Sequence, residues 1–351
     1  QLLLDNYDTV SEYVFQNVIL KELDSPSVPV KPSNPVNRGQ LLKRAFVSGA
    51  GAMMVLLLAI AVLSDTVQTS EAVRRKLDVK LFATIHHEEK NKTLRTKLKK
   101  ANKGLLITMP VASFYFTEEI YKLGTKVDYA ARHGERKVIL VTSVAENEGK
   151  STVAANLALA LTQGGQRVLL IDADLHKAAQ YKLFQYRPTV ELADMIRGAA
   201  PYAPERLEEQ RLYTLFSTKS SDSAAELIAS AGMGALLEKA RKEMDYIVID
   251  SPPMALFSDV EALADRADMS LLVVRQDVTP VRRINDTVDI LNQCRAELLG
   301  CVFNDVRGMP FANDHHSYGY GYGYGYGYGG YYGQKSGKMT DKQAEGTHGR
   351  G

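Results

Sequence analysis

Four consecutive residues, Gly149-Lys150-Ser151-Thr152, combine a position without a side chain, a cation and two hydroxyls. An apolar, β-branched run, Val138-Ile139-Leu140-Val141, and a polar stretch from Ala145 to Glu148 precede them. An Ala-rich apolar segment follows, with no breaker until Gly164-Gly165. Strand, loop, Gly-Lys-Ser and helix make an arrangement that receives phosphate. Backbone N–H groups and the helix N-terminus face the anion, the lysine reaches the β- and γ-phosphates, and the serine hydroxyl binds Mg²⁺. Glu148, Gly149, Lys150, Ser151 and Thr152 are therefore candidate nucleotide-binding residues. Val144 stands where G-x-x-x-x-G-K-[ST] has its first glycine. A β-branched residue avoids φ > 0, so the loop must turn elsewhere. A chance Gly-Lys-Ser is the competing explanation, and the flanking strand and helix count against it.

Carboxylates supply the second half of the chemistry. Ile171-Asp172-Ala173-Asp174 closes one apolar run and Ile249-Asp250-Ser251-Pro252-Pro253 closes another. A single Asp after a strand is often structural. Three such acids beside a Gly-Lys-Ser loop suit a different task, holding Mg²⁺ directly or through water and activating a nucleophile. Asp172, Asp174, Asp250 and Ser151 are the residues that would share it.

The elements needed to position these groups are legible from Lys137 onward. Apolar strands at 138–141, 167–173, 212–216, 246–250, 270–275 and 298–304 alternate with helical patterns near 153–163, 223–243, 258–266 and 280–296. Near-continuous apolar strands separated by helices predict an α/β fold, a mainly parallel P-loop NTPase sheet with helices on both faces. Ligands bind such sheets beyond the C-terminal strand ends, where each motif above falls.

The flanks differ in kind. Residues 1–23 are amphipathic at helical spacing and read as a packing helix; their start in mid-pattern suggests a piece of a longer chain. Residues 24–37 hold four prolines and read as a stiff, extended connector. Ala45 to Leu63 carries no charge over about the length that crosses a bilayer, roughly 20 residues, and predicts a transmembrane helix. Small residues from Ser48 to Ala52 suit helix packing in lipid. The polar, basic stretch 64–110 reads as a juxtamembrane linker able to meet anionic headgroups. From Phe311 the pattern stops; Tyr318 to Tyr332 contains only Tyr and Gly and is expected to be disordered in isolation. The formal net charge of +2 argues neither for nor against nucleic acid, and no nucleic-acid partner is expected. Two cysteines, Cys294 and Cys301, give no disulfide framework and read as reduced core residues.

These residues together resemble the bacterial protein-tyrosine kinases (BY-kinases) fused to a Wzz-like polysaccharide chain-length determinant domain. The kinase likeness lies in the P-loop, the hydrophobic strand ending in Asp172-x-Asp174 and the strand ending in Asp250. The likeness to the chain-length domain lies in DSPSVPVKPSNP, the membrane helix and DTVQTSEAVRRKLDVKLFATI. The resemblance implies that Lys150, Ser151 and Thr152 bind ATP·Mg²⁺. It implies that Asp172 and Asp174 bind the metal and accept the tyrosine hydroxyl proton, that Asp250 binds Mg²⁺ through water, and that Asn304 touches adenine. A strand-terminal turn residue is the alternative for Asn304. Tyr318, Tyr320, Tyr322, Tyr324, Tyr326, Tyr328, Tyr331 and Tyr332 become acceptors, phosphorylated in trans within a homo-oligomer. The chain would sit in the bacterial plasma (inner) membrane with its kinase domain in the cytoplasm. Its partners would be the lipid bilayer, the machinery of capsular or exopolysaccharide polymerisation and export, and a cognate tyrosine phosphatase.

The implied division is 1–44 extracytoplasmic, 45–63 transmembrane, 64–110 juxtamembrane, 111–308 kinase and 309–351 acceptor tail, with 64–110 activating the kinase in cis. Some positions depart from the family. His176 stands for its arginine, Ala178 for its proline, and of the ring-forming E-x-x-R-x-x-R helix only Glu119 and Lys122 keep their charge, with Thr125 last. Two other classes compete. One is a ParA/MinD-type partitioning ATPase, whose extra loop lysine is replaced here by Ala145. The other is a chain-length regulator whose kinase domain has decayed.

Overall fold

The structure is a computed structural model that describes residues 2–17, 37–63, 65–91, 104–208 and 211–308. Two helices come first, α1 (Leu2–Asn17) and α2 (Arg38–Leu63), followed by α3 (Ser70–Lys76) and β1 (Leu81–His86). Next come α4 (Phe114–His133), β2 (Val138–Ser143), α5 (Lys150–Thr162) and β3 (Val168–Asp172). Two short helices, α6 (Gln180–Leu183) and α7 (Leu192–Ile196), lead to β4 (Glu205–Leu207) and β5 (Leu212–Leu215). The remainder is α8 (Ala224–Ala229), α9 (Ala231–Glu243), β6 (Tyr246–Asp250), α10 (Asp259–Ala264), β7 (Met269–Arg275), α11 (Val281–Gln293) and β8 (Glu297–Val306).

Among the described residues the strands form one sheet in the order β1-β8-β7-β2-β6-β3-β5-β4. Every pair is parallel except β4–β5. The inner strands are apolar on both faces because both faces are covered. In β2, Val138 and Leu140 pack on the side of α9 and α11, with Met233, Leu237, Ile284 and Val288. Ile139 and Val141 point the other way, toward Ile120 and Leu123 of α4 and Leu157 of α5. This is the α/β class expected from the strand and helix rhythm.

The segment 64–110, read as a linker, is corrected by the structure at both ends. Residues 65–91 carry α3 and β1, and β1 is the edge strand of the sheet, paired with β8. Leu105 and Leu106 are buried in the core on the α5 side. Buried Asn156 of α5 accepts from Ile107 N (2.8 Å) and donates to Leu105 O (2.8 Å). The sheet fold therefore takes in residues ahead of 111, from Asp65 on; residues 92–103 lie outside the described residues.

Smaller differences have local causes. The helix expected over 223–243 breaks at Ser230, which ends α8 and caps α9 by accepting from Met233 N. Helix α1 forms, but Leu3, Leu4 and Tyr7 are exposed, so it buries no stripe among the described residues. Cys301 is buried in β8, while Cys294, at the end of α11, is only partly buried. The Pro-rich connector 24–37, apart from its last residue Asn37, and the Tyr/Gly segment lie outside the described residues.

Helix α2 is, among the described residues, the one helix long and apolar enough to cross a bilayer, over Arg38–Ala59. At 1.5 Å per residue its 26 residues extend about 39 Å, more than a hydrocarbon core of roughly 30 Å. None of the candidate span is buried against protein. Apolar surface left open all round a helix suits lipid rather than water.

Candidate active site

The phosphate loop follows β2 and opens α5. Val144 is buried and keeps an ordinary backbone; the loop turns instead at Asn147 (φ 63°) and Gly149 (φ 93°). Glycine is required at 149 twice over. Its φ is left-handed, and a Cβ there would collide with Asn304 Nδ2. Gly149 caps α5 without a side chain, so the first N–H groups of a 13-residue helix are left for an anion.

Three carboxylates meet the lysine of this loop. Asp172 and Asp250 are the last residues of β3 and β6 and are paired across them. Lys150 Nζ lies 2.8 Å from Asp174 Oδ2, 3.9 Å from Asp250 Oδ1 and 3.2 Å from Ser151 Oγ. Burial alone would lower the Lys150 ammonium pKa, but Asp250 and Asp174 outweigh it and hold it above its ordinary value. Burial, then the neighbouring Asp250, pushes the Asp172 carboxyl well above the usual carboxylate range. Burial raises Asp250 too, against the pull of Lys150.

Gln180, which the sequence reading did not single out, ties this cluster together. It is fully buried at the start of α6. Its Nε2 donates to Ser151 O (2.9 Å) and to Asp250 Oδ2 (2.8 Å). Its backbone N–H and that of Ala179 donate to Asp172 Oδ2 at 2.9 and 3.0 Å. One oxygen of each carboxylate, Asp172 Oδ1 and Asp250 Oδ1, is buried without a hydrogen-bond partner. Two orphaned carboxylate oxygens near a serine hydroxyl form a hard, all-oxygen donor set. The set fits Mg²⁺, which binds through one or two carboxylates plus substrate phosphates.

Two residues expected to touch nucleotide bond within the protein. The Glu148 side chain turns into the protein, where it accepts from Ala145 N (2.8 Å) and Thr279 Oγ1 (2.6 Å). Burial raises its pKa. Only its backbone remains for phosphate, because the carboxylate is the inner brace of the loop. Asn304 Nδ2 donates to Glu148 O (2.9 Å), so the amide expected at adenine braces the loop from the other side. Arg275 adds a third brace, donating to Asn147 O (3.1 Å) and to Asp305 (2.8 Å).

A cavity of about 600 Å³ opens over the loop, lined among others by Gly149, Lys150, Ser151, Thr152, Asp174 and His176. His176, the departure from the family arginine, stacks on Phe257 and bonds the buried Asp259 (3.0 Å). On α4, Glu119 is taken by β1, accepting from His86 N (2.9 Å) and pairing with the His86 ring, while Lys122 and Thr125 are exposed. The structure thus brings together Lys150, Ser151, Asp172, Asp174 and Asp250, and separates Asn304 and the Glu148 carboxylate from the cavity. The tyrosines expected to be acceptors lie outside the described residues.

Comparison with known proteins supports the same assignment. Residues 134–326, more than half of the chain, match the family model of the NUBPL iron-transfer P-loop NTPase (ParA). The tyrosine-protein kinase YwqD of Bacillus subtilis is 32% identical over 206 residues, 58% of this chain and 85% of that protein. The succinoglycan biosynthesis transport protein ExoP of Rhizobium meliloti is 31% identical over 205 residues, 57% of this chain and 26% of its own length. The chain spans about two-fifths of other long relatives, for example 39% of one whose match covers 81% of this chain. Among solved structures, the kinase domain of the Escherichia coli tyrosine kinase ETK superposes with a TM-score of 0.62 over 72% of this chain and all of that domain. At 24% identity that likeness speaks for the fold. The chain therefore belongs to the P-loop NTPases of that family model and, among them, to the bacterial protein-tyrosine kinases.

Proposed function

We propose that this chain is an ATP-dependent protein-tyrosine autokinase of the bacterial plasma membrane. It transfers phosphate to the Tyr318–Tyr332 segment of a second copy and so regulates the polymerisation, chain length and export of a capsular or exopolysaccharide. The observation that carries the reading is the meeting of Lys150, Ser151, Asp172, Asp174 and Asp250 on one sheet edge, in a chain whose relatives bear tyrosine-kinase names.

Lys150 is held by Asp174. A triphosphate entering the loop offers Lys150 a stronger anion, and Asp174 is released at the cavity. Its carboxylate then accepts the proton of a tyrosine hydroxyl. The hydroxyl oxygen bonds the γ-phosphorus, and the bond between that phosphorus and the bridging oxygen of ADP breaks. Mg²⁺, held by Ser151 and Asp172 and through water by Asp250, would neutralise phosphate charge when bound. Gln180 fixes both carboxylates while this happens.

The segment following α2 supports activation in cis. Val281 N donates to Asp65 O (2.8 Å), Asp277 N to Val67 O (3.0 Å), and Thr66 Oγ1 to Asp277 Oδ1 (2.8 Å). The loop so gripped carries Thr279, the partner of the Glu148 brace. Each added phosphate brings about −1.5 to −2 charges. Several on one segment repel, which would loosen an oligomer and give the polysaccharide machinery and a phosphatase a cycle to act on.

The test is incubation of the purified full chain with ATP·Mg²⁺ followed by detection of phosphotyrosine. Signal in the wild type and none in Lys150→Met is expected. Equal or absent signal in both would overturn the reading.

A further inference from the structure

Part of the cavity wall is aromatic, and phosphate binding has no use for it. His176 and Phe257 stack with ring centroids 3.7 Å apart and planes 15° from parallel. Both line the cavity that Lys150 and Asp174 reach, together with Pro253 and Ala178. The imidazole is fixed at its edge, Nε2 lying 3.0 Å from Oδ2 of Asp259, a buried carboxylate in the first turn of α10. Phe257 sits in the β6–α10 connection beside Leu256, which is 56% exposed. The cation nearest in sequence, Lys177, is paired with Glu146 at 2.8 Å. The wall itself offers ring faces and apolar surface, in a cavity that Lys177 and Lys182 also line.

The segment Tyr318–Tyr332 is its chemical complement. It contains no charge and no side chain other than phenol rings, with tyrosine at every second position over most of its length. Such a chain cannot be recognised by ion pairs. It can be recognised by stacking, and glycine between the rings lets a slender backbone enter.

We propose that Phe257 and His176 form the acceptor subsite. A tyrosine ring from the Gly/Tyr segment of a second copy stacks on this wall and directs its hydroxyl to Asp174. This deepens, and rests on, the tyrosine-kinase reading above. Phe257 and His176 act as positioning residues; Asp259 acts through His176. The wall reads a ring and not a sequence, so any tyrosine of the repeat can enter.

The test uses the full chain with its eight tail tyrosines (318, 320, 322, 324, 326, 328, 331 and 332) changed to Ser, and a synthetic peptide of residues 317–332 as acceptor. Phe257→Leu keeps apolar volume and removes the ring. The KM for peptide should rise about threefold to tenfold, the size of one aromatic contact, with kcat changing less. Phe257→Tyr should restore it, and the KM for ATP should stay within about twofold. A rise in the KM for ATP alone would assign the wall to adenine and overturn the proposal. Unchanged KM values for both substrates would overturn it too. A parent enzyme that transfers nothing to the peptide overturns the kinase reading itself, a failure seen before any wall variant is compared.

Discussion

Asp172 and Asp250 end adjacent strands as register partners, and each keeps one buried carboxylate oxygen without a hydrogen-bond partner. Like charges held this way destabilise the empty protein and suit one that receives a cation. In Asp172→Asn the amide oxygen can still accept from Ala179 and Gln180 while the NH₂ group donates to Asp250. The melting temperature of the nucleotide-free protein should rise by about 2–4 °C, the equivalent of roughly 1 kcal/mol at this size. Phosphotyrosine formation should fall on the order of a hundredfold. A lowered melting temperature would show that the pair is not strained.

Gln180 links Ser151, Asp250 and the turn that holds Asp172. Gln180→Ala should lower the autophosphorylation rate about 10- to 100-fold, because both carboxylates lose a fixed orientation. The circular dichroism spectrum should be unchanged. Wild-type rates would mean that the strands alone position the acids.

Asp268 contributes to acid stability. It accepts from Lys137 N (2.8 Å), Val138 N (2.9 Å) and both terminal nitrogens of Arg241 (2.8 Å each). Burial would raise its pKa, but Arg241 and the two N–H groups hold it below the ordinary value. A depressed carboxylate contributes stability above its unfolded pKa, about 3.9, and loses it as the pH falls through the folded value. Asp268→Asn should cost about 2–4 kcal/mol in denaturant unfolding at pH 6. The gap from wild type should narrow below about pH 3.9; a gap independent of pH would contradict the assignment.

Thr279 lies in the loop gripped by residues 65–67 and reaches the phosphate loop through Glu148. Thr279→Val leaves one buried carboxylate oxygen without its donor, which should weaken ATP binding about fivefold to tenfold. Titration calorimetry on the full chain would check it. Unchanged affinity would mean that the Ala145 contact alone seats the loop.

What the sequence could and could not disclose follows from distance along the chain. Asp172 and Asp250 are legible because each ends the apolar strand that places it, and Lys150 because its Gly-Lys-Ser loop follows one and opens a helix. Gln180 is not, since its partners lie 29 and 70 residues away and no periodic pattern marks it. Strand β1 is mostly half-buried, and the strand it pairs with is far along the chain, Leu81 lying opposite Cys301 and Thr84 opposite Phe303. Glu148 shows the limit within a motif. Its place in the loop could be read, but the direction of its side chain depends on Thr279 and on burial. Val144 needed no special path once Asn147 and Gly149 supplied the left-handed turns.

The most direct measurement mixes two full-length variants with ATP·Mg²⁺. One carries Lys150→Met and an intact tail; the other has an intact site and serines at the eight tail tyrosines. Mass spectrometry then locates phosphate. The expected result is phosphotyrosine between Tyr318 and Tyr332 of the Lys150→Met chain, appearing only when both variants are present. Phosphate absent from that segment, or present on the Lys150→Met chain alone, would contradict transfer from this site to a second copy.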